Sequence, residues 1–299
     1  MEQHRVRDVF SASKSIESSD NLLSIASYNL HGLNQGNPFL LELLNTCNIV
    51  CIQEHWLSSD DLHILSTLNV NCSVFSSSAM DFKLSHGVLK GRPFGGVAIF
   101  VHNVVAKHVK LISKNDNFLV LSVGSCLLCN VYLPCADDDK FVDILASISN
   151  IVSKNACYDK LIIAGDFNMV FNVVHPRWEI LSEFIAQTNT SITDQFIDSC
   201  SAPVYTYIHE SLGQRSFIDH FLTSLNLISS VATISIADSG CNLSDHCAII
   251  MSIKSDLFIS QRSVDFLNSK HCNDIKKIRW DKGNLDLYYN RTRCLLEGS

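Results

Sequence analysis

Glu54, Asp166, Asp219 and Asp245 are carboxylates that each stand at the border of a short apolar run, and His246 follows the last of them. Four runs end on a polar residue. Residues 24–28 lead to Asn29, 49–53 to Glu54, 126–131 to Tyr132, and 161–165 to Asp166, with Asn168 two residues on. Two others are reversed: Asp219 opens the run 220–223, and Asp245 with His246 opens 247–253. Strands that begin where others end must run antiparallel to them. If all six ends meet at one rim, the fold is a pair of mixed sheets with a polar cleft along one edge.

Four carboxylates in one small cleft repel one another unless a cation sits among them or some stay protonated. An oxygen-rich ligand set, with no Cys or His at zinc spacing, suits Mg²⁺ or Mn²⁺. Such an ion polarises phosphoryl oxygens, helps to generate hydroxide and stabilises a leaving oxygen, which is the help that phosphodiester hydrolysis needs. Taken singly, the residues have plainer explanations. Residues 166–168 would make an Asx turn, Asn29 a turn before Gly32, and Asp245 a loop cap.

The elements that must position these residues are β-rich apolar runs at 22–28, 49–52, 96–101, 118–123, 127–133, 161–164, 220–223 and 247–253. Between them Phe141, Ile144, Leu145, Ile148, Ile151 and Val152 repeat at helical spacing. Further helices are expected after Pro38 through Leu44, with the proline in the first turn, and from Arg177 to about Ala186. Asp137 to Asp139 reads as a solvated turn before a helix that begins near Lys140. The glycines of 91–96 lack a phosphate-loop ending and read as a turn before a strand. The expected class is α/β, with helices and strands in irregular order.

The chain has 299 residues and a formal charge of −7, so any contact with DNA phosphates must be local. Residues 1–21 are polar and read as a flexible lead. The tail 256–299 reads as a basic tail or linker, with Lys270, Lys276, Lys277, Arg279, Lys282, Arg291 and Arg293. There is no apolar segment of secretory or membrane-spanning length, which predicts an intracellular protein. Twelve cysteines are scattered through apolar stretches and read as free thiols; Cys126 and Cys129 should point to opposite faces of a strand.

The ordered set SYNLHG, CIQEHW, NVYLP, AGDFN, SFIDHFLTS and LSDH resembles the endonuclease/exonuclease/phosphatase superfamily over about 22–255. Its wording is most similar to the apurinic-like endonuclease domains of non-LTR (LINE-type) retrotransposons. The resemblance implies a DNase I-like, four-layered α/β sandwich, in which two mixed β-sheets are flanked by helices. It implies nuclear action and a nick in target DNA that exposes a 3′-hydroxyl, with a reverse transcriptase fused beyond the C-terminus. Glu54 would be the principal ligand of Mg²⁺ or Mn²⁺, with Asn29, Asp245 and Asp166 around it. Asp166 would orient or deprotonate the attacking water, and Asn168, on the same face by strand period, would hold phosphate or water. His246, paired with Asp219, and Tyr132 would stabilise the phosphate. Thr206 and Ser244 match positions that contact the substrate backbone. One departure is Phe217, where many such domains carry arginine. The competing reading is a relative acting on abasic DNA, an inositol phosphate or a sphingolipid, and a domain that binds without catalysis ranks third.

Overall fold

The computed structural model describes residues 22–81, 84–85, 88–89, 91, 93–193, 197, 205–209 and 211–255. The chain divides after residue 260, and the description is of the first unit. The lead 1–21, the tail 256–299 and Arg92 of the glycine-rich turn lie outside it.

In chain order the elements are β1 (Leu22–Asn29), α1 (Leu33–Thr46), β2 (Ile49–Gln53), β3 (Cys72–Ser77), β4 (Leu84–Ser85), β5 (Val88–Leu89), β6 (Val97–His102), α2 (Asn103–Ala106), β7 (Val109–Lys114), β8 (Phe118–Val123), β9 (Cys126–Tyr132), α3 (Asp138–Lys154), β10 (Lys160–Asp166), α4 (Pro176–Gln187), β11 (Thr190–Ile192), β12 (Tyr207–Ile208), β13 (Arg215–Ser216), β14 (Asp219–Ser224), β15 (Val231–Ala237) and β16 (Ala248–Lys254). Six strands form one mixed sheet in the order β15-β16-β1-β2-β6-β3, and six form a second in the order β11-β14-β10-β9-β8-β7.

The period-2 pattern of the strands divides their side chains between layers. Leu23 and Ile25 of β1, Cys126 and Leu128 of β9, and Ile162 and Ala164 of β10 fill the core between the sheets. Their neighbours Leu127, Cys129, Leu161 and Ile163 face α3 and α4, while Ala26 and Tyr28 face α1. The result is the expected four-layered α/β sandwich, and the two cysteines do point to opposite faces. Among the described residues no helix is long and apolar enough to cross a membrane.

Helix α3 begins at Asp138, earlier than the spacing suggested. The side chain of Asp137 caps it by accepting from the Lys140 N–H at 2.9 Å, and Asp138 and Asp139 lie in its first turn, where the helix dipole favours negative charge. Helix α1 departs further from expectation. It starts at Leu33, so Pro38 is internal and cannot donate to the Asn34 carbonyl. Burial of Phe39, Leu40, Leu43 and Leu44 against the sheet offsets that loss.

One buried polar group ties the sheets together. Asn130, on β9, donates from Nδ2 to the carbonyls of Ile52 and Ala98, both at 2.9 Å, and its Oδ1 accepts from Gln53 Nε2 at 2.7 Å. Ile52 and Ala98 face each other on β2 and β6 of the opposite sheet. Three directional bonds thus cross between the sheets in the midst of apolar side chains. Substituting Asn130→Ala removes three buried hydrogen bonds, leaving Gln53 Nε2 with Ser27 Oγ, and should lower the unfolding free energy by about 2–4 kcal/mol. Urea denaturation measures it, and a loss under about 1 kcal/mol would show that the crossing bonds do little.

Candidate active site

β1 and β2 are parallel, β9 and β10 are parallel, and β16 and β14 run against them. Asn29, Glu54, Tyr132, Asp166, Asp219, Asp245 and His246 therefore all arrive at one rim, as the strand ends predicted. Asn29, Glu54, Asp245 and His246 come from the first sheet or its edge loops, and Tyr132, Asp166 and Asp219 from the second.

The rim is knitted by short contacts. Asn29 Nδ2 donates to Glu54 Oε1 at 3.1 Å and to Asp166 Oδ2 at 2.9 Å, so one amide joins carboxylates from opposite sheets. Its Oδ1 accepts from the His31 backbone N–H, which fixes which end of the amide faces the acids. Asn168 sits beside Asp166 for a reason other than strand period: the strand ends at Asp166, and Asn168 has φ +50° in a turn. Asp166 Oδ1 accepts the Asn168 backbone N–H at 2.8 Å, and Asn168 Nδ2 donates to Asp166 Oδ2 and to the Leu133 carbonyl. The Asx turn and the site are the same structure.

His246 Nδ1 and Asp219 Oδ2 are 2.9 Å apart, and Asp166, Asp219 and His246 bring ligand-capable atoms within 4.8 Å of one another. Asp219 is 0% exposed, Asp166 1% and His246 4%. Burial works against a charged imidazole, but the charge and hydrogen bond of Asp219, with Asp166 and Asp245 adding, raise the His246 pKa to about 10. Burial, and then the Asp219 charge, raise the pKa of Asp166, while His246 opposes the shift. Burial also pushes the Tyr132 phenol up, with Glu54 and Asp166 adding to it.

Thr206 is fully buried; its Oγ1 accepts the backbone N–H groups of Ile218 and Asp219 at 3.0 and 3.1 Å, and its carbonyl accepts from Cys247. It joins the strand carrying Asp219 to the segment carrying His246. The Ser244 hydroxyl is likewise engaged in the framework, donating to the Asn29 carbonyl at 2.8 Å and accepting from the His246 N–H at 3.1 Å. Phe217 packs beside the inter-sheet core, with its ring 5.0 Å from that of His220, and Arg215 lies over the Tyr205 ring.

Three further residues join the rim, of which sequence reasoning passed over Trp56 and Asn242 and placed His31 at the cleft only through its neighbours. His31 Nδ1 lies 2.8 Å from Asp245 Oδ1, and the carboxylate raises its pKa. Trp56 Nε1 donates to Glu54 Oε2 at 2.9 Å. Asn242 donates to the His246 carbonyl and accepts from Tyr28 and Ser244. A polar or aromatic residue within four positions of a motif residue was the available signal. His55, by contrast, belongs to the core: its Nδ1 accepts from Leu57, its Nε2 faces the Ser77 carbonyl, and burial lowers its pKa to about 4. His31, Glu54, Trp56 and Asn168 all have φ between 47° and 58°. Such backbone costs on the order of 1–3 kcal/mol per residue and concentrates where a fold over-determines a site.

Since the pKa of His246 is raised from 6.5 to about 10, its pairing stabilises the fold fully below pH 6.5 and loses that effect as pH climbs through 10. NMR of the ring should find it protonated at pH 8, and titrating lower in Asp219→Asn. A midpoint near 6.5 in the parent chain would contradict the geometry.

Residues 126–250 match the family model described as endonuclease-reverse transcriptase. No curated protein matches the chain in sequence. Among solved structures, an AP endonuclease from Leishmania major superposes with a TM-score of 0.62 at 16% identity, covering 78% of this chain and 88% of its own. A 3′ phosphatase from Neisseria, bound to its product DNA hairpin, superposes with 0.60 at 16% identity, covering 77% and 99%. An AP endonuclease from Archaeoglobus fulgidus gives 0.58 at 16% identity, covering 77% and 98%. Residues 126–250 thus resemble an endonuclease-reverse transcriptase family in sequence, and the described unit shares the fold of these solved endonuclease and phosphatase structures.

Proposed function

We propose that the chain is a metal-dependent DNA endonuclease that nicks target DNA for retrotransposition, with residues 22–255 as the nuclease domain, 1–21 as a lead and 256–299 as a basic tail. The observation that carries the reading is the convergence of Asn29, Glu54, Asp166 and the Asp219–His246 pair at one rim, in a chain matching an endonuclease-reverse transcriptase model. A reverse transcriptase in the same polypeptide, and action in the nucleus, belong to the same proposal.

The donor set suits a hard divalent cation. Glu54, Asp166 and Asp245 offer carboxylate oxygens, with Asn29 between the first two. Although Asp166, Asp219 and His246 lie close enough to hold an ion, a protonated imidazole has no lone pair for one. Glu54 is therefore assigned as the principal ligand, with Asn29, Asp245 and Asp166 around it. When bound, Mg²⁺ or Mn²⁺ neutralises phosphate charge and polarises the phosphoryl oxygen.

Asp166, its pKa raised by burial, takes a proton from the attacking water while Asn168 holds the carboxylate in place. The water oxygen bonds to phosphorus, the bond from phosphorus to the 3′ oxygen breaks, and that oxygen leaves as a hydroxyl by taking a proton from solvent, while Asp166 later returns its proton to solvent. His246, kept cationic by Asp219, donates to the phosphate as negative charge develops, and Tyr132 adds a second donor.

Purified protein with supercoiled plasmid and Mg²⁺ should yield nicked circles whose 3′ ends a DNA polymerase extends. Chelation and Glu54→Ala should each reduce the rate at least 100-fold, on the order expected for loss of a principal ligand. Cleavage confined to a duplex bearing an abasic site, or no nicking of any plasmid, would replace this reading with that of a narrower phosphoesterase.

A further inference from the structure

We infer that Trp56 is a positioning residue that fixes the Glu54 carboxylate for its cation; the inference rests on the nuclease reading above. The indole Nε1 donates to Glu54 Oε2 at 2.9 Å while Asn29 Nδ2 donates to Oε1 at 3.1 Å. Both oxygens are thus held by N–H groups, each keeping lone-pair capacity for an ion. An indole suits this task because it is a rigid plane with a single donor and no acceptor.

The backbone around Trp56 is arranged to deliver that donor. Glu54 and Trp56 both adopt left-handed φ, +54° and +58°. Gly32 N–H to the Glu54 carbonyl at 2.8 Å, Leu33 N–H to the His55 carbonyl at 3.3 Å and Trp56 N–H to the Gly95 carbonyl at 3.2 Å hold them there. Gly32, itself at φ +94°, leaves the room that the indole occupies: a Cβ at that position would lie 2.4 Å from the Trp56 ring. The His31 ring packs against the indole at 5.0 Å between centroids, and the same imidazole pairs with Asp245 at 2.8 Å. One half-buried indole thereby connects the environments of two of the proposed metal-site acids. Pure core packing would explain the ring, but not a donor aimed at the one carboxylate that the metal most needs.

The test is Mn²⁺ binding by the full chain, with free Mn²⁺ followed by electron paramagnetic resonance, in the parent and in Trp56→Phe. Phenylalanine keeps a ring and removes the donor, and binding should weaken about tenfold, the lower end of what loss of a ligand's supporting partner does. The thermal midpoint should move by only a few degrees. Nicking should demand correspondingly more Mg²⁺ and recover when the metal saturates. Benzothienylalanine at position 56, a near-isostere of tryptophan without the N–H, should behave as Trp56→Phe does, and carries the test alone if the phenylalanine variant does not fold. Parent-like Mn²⁺ affinity in a folded donorless variant overturns the inference while leaving the nuclease reading intact. A parent chain that neither binds Mn²⁺ nor nicks DNA removes both.

Discussion

Half of the site rides on each sheet, so its geometry is set by how the two sheets face each other. Apolar contacts between them, however numerous, tolerate sliding, because hydrophobic burial has no direction. Asn130 supplies direction. Its amide is satisfied by carbonyls of two paired strands on the opposite sheet and by Gln53, the residue before Glu54. A slip along the strand axis would strand these polar groups in the core, and the same slip would part Asn29 from Asp166. The other inter-sheet bond at the rim, from His246 to Asp219, is framed by Thr206, whose side chain and carbonyl touch both partners' segments. Gly165, directly before Asp166, allows the close packing of β10 on β9: a Cβ there would meet the Val131 carbonyl oxygen.

Holding buried acids together in this way is electrostatically expensive, and the fold meets the cost with donors. Asp166 alone accepts from Asn29, from the Asn168 backbone and from the Asn168 side chain. Asp219 takes its charge partner from His246. Asp245 has His31. The raised pKa of Asp166 follows from burial and from the Asp219 charge, not from any missing bond.

Much of this was legible beforehand, because a polar residue at the end of an apolar run is conspicuous when the run itself is buried on both faces. Asn29, Glu54, Tyr132, Asp166, Asp219, Asp245 and His246 were placed by that rule together with strand direction. The edge strands β3, β7, β11 and β15 were not, since each is partly exposed and its hydrophobicity is diluted; Val109–Lys114 has no fully buried residue. Asn130 was hidden for the opposite reason: a single amide inside an apolar strand looks like a tolerated exception until its partners on another sheet are known. Thr206 and Ser244 were read from their motifs as substrate contacts, and what a motif does not show is that their hydroxyls also bond to backbone groups of the framework. Pro38 misled for a local reason, as its preference for a helix start yields here to the burial of the residues that follow it.

The thiols carry a practical consequence. Burial pushes Cys51, Cys126, Cys129 and Cys247 well above the ordinary thiol range, so they stay neutral and slow toward alkylating reagents. Among the described cysteines only Cys135 and Cys157 are exposed, and Cys135 stands three residues past Tyr132. Nature has left an attachment point at the lip of the cleft, where a spin label or fluorophore reports on local motion and occupancy without disturbing the interior.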